Sequence, residues 1–354
     1  MGVHVGMMPA GPLNMITDVA GVRVGHVTRI EDAHIRTGVT AILPHGGNLF
    51  HEKVPAAIYN FNSFGKMAGS LQVDELGKIE TPIILTNTLS VGTAVEALAA
   101  WMLELDGNET VRSVNALVGE TNDALLNDIR GQHITAEDIR LAIETAAKGP
   151  VAEGNVGAGT GTTSFGFKSG IGTASRVTPR IDGITYTVGV LVQSNFGRHL
   201  YINGVPFTRI MHEERIIRED DGSAMIIIAT DAPLSSRNLR RMAKRSFIGM
   251  GRTTAVMSNF SGDFAIAFST AYTTNTAHTT TSALVDNRNM NPLFQAVQEA
   301  TEEAIYNALF MAQDMEGRDG NHMEAIPLDK VMEVMDAHGM RFLNDRLPGT
   351  RIER

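Results

Sequence analysis

Ser261 is followed by Gly262 and Asp263 and then by the apolar run Phe264-Ala265-Ile266-Ala267-Phe268, which puts a small hydroxyl nucleophile at the head of a strand. A serine inside a chain is a weak nucleophile because it carries no base of its own. If the bond between Phe260 and Ser261 is cut, the amide nitrogen becomes an α-amine with a pKa of about 7.7–8.0, and one residue then supplies both hydroxyl and proton acceptor. The stretch therefore reads as a concealed N-terminus. Taken alone, it is more often the pattern of a turn residue before a strand.

Other chemistries are narrowed by composition. With no cysteine in 354 residues, disulfides, thiolate metal sites and a cysteine nucleophile are excluded, so the chemistry falls to oxygen and nitrogen. The glycine-rich segment from Gly154 to Gly172 invites a phosphate-loop reading. However, Gly157, Gly159 and Gly161 miss the G-x-G-x-x-G spacing, and Phe167 sets Lys168-Ser169 one residue out of register with the amide cradle of a Walker loop. Tight turns between strands are expected there instead. The formal net charge of −9 and scattered Lys and Arg residues give no footprint for nucleic acid. The basic helix opened by Ser235, with Arg237, Arg240, Arg241, Lys244 and Arg245, has no aromatic platform beside it. No run of about 18 apolar residues occurs, and the start lacks a signal-peptide pattern, so a cytoplasmic protein without a membrane partner is expected.

The elements that must position Ser261 follow from periodicity. Ile16 to Val27 reads as short strands turned at Gly21 and Gly25, and Gly38 to Pro44 as a further strand. Ile83 to Thr86 reads as a buried strand, with a helix from Thr93 to Leu105 after it. Thr135 caps a helix running to Ala147, and Gly149-Pro150 ends it. Ile184 to Gln193 alternates as a strand and stops at Ser194-Asn195-Phe196-Gly197, so Asn195 sits at a strand end. The charged run from His212 to Ser223 reads as a solvated loop, and Met225 to Thr230 as an apolar strand. Ser235 opens a helix to Arg245, Leu293 to Met311 forms the strongest helix, and a last one covers Leu328 to His338. The run after Ser261 is apolar enough to be buried on both faces. Strands and helices mix without regular βαβ alternation, as sheets stacked between helix layers require.

Several long segments, in this order, resemble the DmpA/BapA family of N-terminal-nucleophile serine aminopeptidases, the β-aminopeptidases and L-aminopeptidase/D-esterases of the S58 type. They are Ile16 to His26, Thr86-Asn87-Thr88, Gly119-Glu120-Thr121, Leu126 to Ile129, Gly154 to Arg176, Val190 to Gly197, Ser261 to Ala271 and Glu302-Glu303-Ala304. The resemblance implies an α+β fold, an αββα sandwich of two sheets between helix layers. It implies a single catalytic domain over residues 1–354 that cuts itself into an α chain, 1–260, and a β chain, 261–354. It further implies no cofactor and no metal, a homo-oligomer built as a tetramer of α/β heterodimers, and release of N-terminal residues from small peptides, amino-acyl amides or esters, β- and D-residues included.

By the same resemblance Ser261 takes the place of the nucleophile and Asn195 that of the oxyanion-hole asparagine. A hydroxyl–x–carboxylate pair is expected on the long helix, where two registers are open. Thr301 with Glu303 keeps the hydroxyl, and Ala300 with Glu302 loses it. The first is preferred because Thr301 lies on the apolar stripe, although residues two apart on a helix project about 200° apart. On pattern alone Glu302 and Glu303 read equally as a solvated face. Glu120 is expected to receive the substrate ammonium, which needs an anion once desolvated. Asn122 stands where some relatives carry tyrosine. Phe260 precedes the cut where relatives often carry glycine, and its bulk is expected to slow an N-to-O acyl shift. Two other functions compete: an acyltransferase of the ornithine acetyltransferase type, whose nucleophile is threonine rather than serine, and an uncleaved binding protein without catalysis.

Overall fold

The structure is a computed structural model and describes residues 1–211, 222–274 and 283–343. The charged run expected as a loop lies, over 212–221, outside those residues. In chain order the elements are β1 (Arg23–Glu31), β2 (Ile35–Leu43), β3 (Val54–Ser63), β4 (Met67–Ala68), α1 (Ser70–Leu76), β5 (Lys78–Ile79), β6 (Ile83–Asn87), α2 (Val91–Leu103), β7 (Leu117–Thr121) and α3 (Ala136–Glu144). They continue as β8 (Thr163–Ser164), β9 (Phe167–Lys168), β10 (Ile171–Val177), β11 (Thr187–Asn195), α4 (Phe207–Ile210), β12 (Gly222–Thr230), α5 (Ser236–Arg252), β13 (Ser261–Ser269), α6 (Asn291–Phe310), β14 (Met315–Glu316), β15 (His322–Met323) and α7 (Leu328–Ala337).

The strands form a five-stranded sheet, ordered β1-β2-β6-β7-β4, and a six-stranded sheet, ordered β10-β11-β12-β13-β3-β5. Pairing is antiparallel in both except for β6 with β7 and β12 with β13, which run parallel. Alternation along each strand sorts its side chains between two different cores. Ile226 and Ile228 of β12, with Ala265 and Ala267 of β13, join the α5 and α6 side chains Leu239, Met242, Leu293 and Val297 in one cluster. Their neighbours Met225, Ile227, Phe264, Ile266 and Phe268 meet Ile42, Ile58, Ile83 and Leu85 in a second cluster, filled from both sheets. A third joins Val39, Ala41 and Val118 to Ala94, Leu98, Ile139 and Ala142 of α2 and α3. Three interfaces separate four layers, and the order is helices, sheet, sheet, helices. The expected αββα sandwich is the fold.

Most expected elements are present with small shifts of their ends. All nine residues of β13 are buried, as its composition requires. The Thr135 cap is a full capping box with Asp138. Two expectations are corrected. Helix α5 runs on to Arg252, because Ser246, Phe247 and Met250 continue its buried stripe past Arg245. Gly25 is no turn but the third residue of β1, and Ile16–Asp18 is a single 3-10 turn. A Cβ at Gly25 would stand 2.0 Å from the Ala142 carbonyl oxygen, so glycine there lets α3 lie directly on the strand.

Gly172 does the same for α6 on the other side. A Cβ at Gly172 in β10 would stand 1.9 Å from the Ala304 carbonyl oxygen and 2.4 Å from the Ala308 nitrogen. Both are backbone atoms that cannot rotate away. Gly172→Ala is expected to lower the unfolding free energy by about 1–3 kcal/mol, read as a fall in the urea midpoint at unchanged slope.

Candidate active site

Strand β13 starts at Ser261, and period-two alternation places Ser261 and Asp263 on its helix-facing side with Ala265 and Ala267. Ser261 is 1% exposed, and its Oγ donates to Asp263 Oδ1 at 2.9 Å. The second carboxylate oxygen of Asp263 is buried without a hydrogen-bond partner. Burial pushes this carboxyl up to about 6, against the lowering effect of the Ser261 hydrogen bond. On β12, Gly222 is the register partner of Ser261, and a Cβ there would lie 3.1 Å from Ser261 Oγ and 3.5 Å from Phe196 Cβ. The absent side chain leaves open the space beside the hydroxyl.

The chain enters Ser261 through a tight turn. The Ser261 N–H donates to the Ser258 carbonyl at 3.0 Å, and Thr254 and Met257 hold φ of 67° and 53°. Left-handed backbone at a β-branched threonine is costly. Phe260 is 46% exposed and meets Phe64 edge to face, with ring centroids 5.3 Å apart.

Asn195 ends β11 opposite Ser223 of β12, which in turn lies opposite Gly262 of β13. Two strand spacings, about 10 Å of backbone, thus separate Asn195 from the strand of Ser261. Its Oδ1 accepts the Thr163 N–H at 3.1 Å, and its Nδ2 donates to Ser223 Oγ at 3.2 Å, so the amide donors face β12. Thr163 belongs to the glycine-rich segment, and that segment is tied from within by Lys168. The buried Lys168 ammonium donates to the carbonyls of Gly159, Thr162 and Ser169. The lysine points inward and offers nothing to a phosphate. Burial lowers its pKa, against the raising effect of the Asp123 charge, and burial raises the pKa of Asp123 in turn.

Glu120 lies near the end of β7 in the other sheet. It is buried, accepts the Lys66 N–H at 3.0 Å and the Thr88 hydroxyl, and has the half-exposed Lys66 ammonium at 3.8 Å. A Cβ at Gly65 would stand 3.2 Å from Glu120 Oε1 and 3.4 Å from Gly262 Cα. Glu120 therefore meets the head of β13 across the gap between the sheets. Asn122 is exposed, its N–H donates to Ser223 Oγ at 3.4 Å, and its Oδ1 accepts from Ala124. Ser223 is thus the hydroxyl on which Asn195 and Asn122 both converge.

The α6 residues lie apart from this group. Thr301 is buried as its stripe position requires, but its hydroxyl donates to the Val297 carbonyl at 2.6 Å, and its Cβ faces Gly249 of α5. Glu303 accepts from Asn14 Nδ2 at 2.7 Å and pairs with Arg176 of β10. Glu302 is buried, pairs with Arg252 at 3.0 Å and accepts the Tyr306 hydroxyl at 3.0 Å, and burial raises its pKa. Neither glutamate is a solvated face. Among the described residues no hydrogen bond or ion pair joins Thr301 or Glu303 to Ser261, Asn195 or Glu120. Of the two glutamates, Glu302 pairs with the last residue of α5, from which the chain leads straight to Ser261. No group of three His, Cys, Asp or Glu residues among the described ones could hold a metal ion.

Asp263, Ser223 and Lys168 join the site without having been assigned a part in it from the sequence. A signal for Asp263 was available, since a carboxylate two residues after a serine in a strand shares its face. Nothing in the sequence marks Ser223 or Lys168, whose partners come from remote segments.

The sequence model of peptidase family S58 matches residues 14–323. The chain belongs to that family. It is 39% identical to the β-peptidyl aminopeptidase BapA of Sphingosinicella microcystinivorans, over 92% of this chain and 88% of that one. The crystal structure of the PH0078 protein from Pyrococcus horikoshii OT3 matches with a TM-score of 0.90 and 46% identity, over 96% of this chain and 98% of that one. The L-aminopeptidase D-Ala-esterase/amidase of Ochrobactrum anthropi, described as a variant of the Ntn hydrolase fold, matches with a TM-score of 0.89 and 36% identity over the same shares. The chain is a hydrolase of the serine aminopeptidase kind. No helix of the described residues is long and apolar enough to cross a membrane.

The buried Asp263 carboxyl makes a prediction about stability. Its folded pKa of about 6 lies above the ordinary 3.8, so the folded state binds more protons between those values and stability falls as pH rises through them. The cost is in full force above about pH 6. Asp263→Asn removes it and is expected to raise the unfolding free energy at pH 8 by up to roughly 3 kcal/mol, with the difference from wild type shrinking toward pH 4 in denaturant titrations.

Proposed function

We propose that the chain cuts itself between Phe260 and Ser261 and then works as an N-terminal-nucleophile aminopeptidase through an acyl-enzyme on Ser261. The observation that carries this reading is the placement of Ser261 at the first residue of a nine-residue strand that is buried throughout and paired on both sides. Such a strand stays in place without the chain before it. After the cut the new α-amine of Ser261 takes the proton of its own hydroxyl, and the hydroxyl oxygen attacks the carbonyl carbon of the first substrate residue. The amide of Asn195 donates to the oxyanion, and Ser223 with Thr163 sets its direction. The leaving amine departs protonated, and water hydrolyses the ester on the same path.

Glu120 takes the substrate ammonium. Its place near Gly262, beside the nucleophile, supports that reading, because an aminopeptidase holds the ammonium of the single residue on the N-terminal side of the scissile bond. Asn122 borders that pocket. The relatives named for β-peptidyl substrates make short peptides with an N-terminal β-amino acid the first class to test, with D-residues and amino-acyl amides beside them. Thr301 and Glu303 keep a supporting role on α6, with Glu302 the alternative carboxylate. The working form is a cytoplasmic, cofactor-free homo-oligomer of cleaved protomers, a tetramer of α/β heterodimers.

Wild-type protein is expected to run on a denaturing gel as two fragments meeting at residue 260. Ser261→Ala is expected to give one band near 38.2 kDa and no release of amine from amino-acyl p-nitroanilides. Two fragments from that variant would place the cut elsewhere. In cleaved protein Asn195→Ala is expected to lower kcat about 10²–10³-fold with a small change in KM, and an unchanged kcat would remove its oxyanion role.

A further inference from the structure

We infer that Asp263 is the base that starts the self-cleavage, taking the proton of Ser261 Oγ while the chain is still whole. The inference rests on the reading that the chain cuts itself. Before the cut, the α-amine that serves the mature enzyme is an amide nitrogen with no basic lone pair, so the first reaction needs a different proton acceptor. Among the described residues, the only carboxylate bonded to Ser261 Oγ is that of Asp263, at 2.9 Å. Every other buried acid near the strand has partners of its own: Glu120 holds Lys66 and Thr88, and Glu302 holds Arg252 and Tyr306. Asp263 keeps one oxygen buried and unpartnered, which is an expensive arrangement unless the group has work to do. Burial holds this carboxyl close to neutrality in basicity, above an ordinary aspartate yet ionised at physiological pH.

The step balances without an outside reagent until the last stage. Oγ bonds to the carbonyl carbon of Phe260 as its proton passes to Asp263. The tetrahedral oxyanion collapses with loss of the C–N bond, and Asp263 returns the proton to the departing nitrogen of Ser261. Water then hydrolyses the Phe260 ester. Phe260 is left as a carboxylate, and Ser261 with a free hydroxyl and a free amine. The turn from Ser258 to Ser261, entered through left-handed Met257, supplies a backbone already displaced from its relaxed form.

The test is the rate of fragment appearance on denaturing gels for freshly made full-length chains. Asp263→Asn is expected to slow cleavage by about 10²-fold or more while keeping the wild-type melting temperature or exceeding it. In a Ser261→Cys background the same substitution is expected to cost less than about tenfold, because a thiol with a pKa near 8.5 needs little help to ionise. A merely structural aspartate would cost both backgrounds the same, and that result would overturn the inference. So would Asp263→Asn chains that cleave at the wild-type rate beside a cleaving wild type. A wild-type chain that stays whole would instead remove the self-cleavage reading itself, and the role of Asp263 with it.

Discussion

The proposed cut before Ser261 requires the fold to hold β13 from its sides rather than from its start. A strand whose first residue becomes a chain terminus cannot rely on the peptide bond before it for position. Here β12 pairs with it in parallel over its full length, β3 pairs antiparallel on the other side, and both faces are covered by separate cores. Parallel pairing with both faces buried is what a central strand of such a stack can offer, and it explains why the segment is apolar without interruption. The residue before the proposed cut has no such hold. Phe260 is half exposed, and its ring meets Phe64 edge to face, so solvent already covers much of it.

The same logic of lateral support holds Asn195, the proposed oxyanion donor. Asn195 is at a strand end, where a side chain would ordinarily be free to turn. Its amide is fixed because the Thr163 N–H donates to its oxygen and Ser223 Oγ accepts from its nitrogen on the opposite side. Thr163 is in turn fixed by a loop whose carbonyls converge on the Lys168 ammonium. A buried lysine and a buried Asp123 cost stability by desolvation, and three carbonyl bonds and an opposing charge offset part of it. The glycines of this segment serve that convergence. In sequence they imitate a phosphate loop, but the cation they surround belongs to the protein.

The layers were legible from the sequence because their causes are local. Alternation set the strands, the Thr135 cap set α3, and the unbroken apolar run after Ser261 set a strand buried on both faces. Gly25 misled because a glycine that admits a helix and one that makes a turn look alike in sequence, and only the Ala142 carbonyl distinguishes them. The end of α5 was missed because two glycines, Gly249 and Gly251, sit in its last turns and read as breakers. In the site, Ser261, Asn195 and Glu120 come from three distant stretches, and their meeting at Gly65, Gly222 and Ser223 is a matter of register. Register is set by pairing between strands remote in sequence, which no local pattern contains.

Spacing means different things in the two kinds of element. Thr301 and Glu303 are two apart on a helix, so their side chains diverge, one into the α5 interface and the other onto Arg176. Ser261 and Asp263 are also two apart, but on a strand, where that interval returns to the same face and brings hydroxyl and carboxylate within hydrogen-bond reach. A hydroxyl–x–carboxylate pattern is therefore a contact in one element and a separation in the other. On that geometry the acid that acts directly on the serine proton is the one in the strand. The acids of α6 are held elsewhere: Glu302 by Arg252, the last residue of the helix that leads into Ser261, and Glu303 by Arg176 and the N-terminal arm around Asn14.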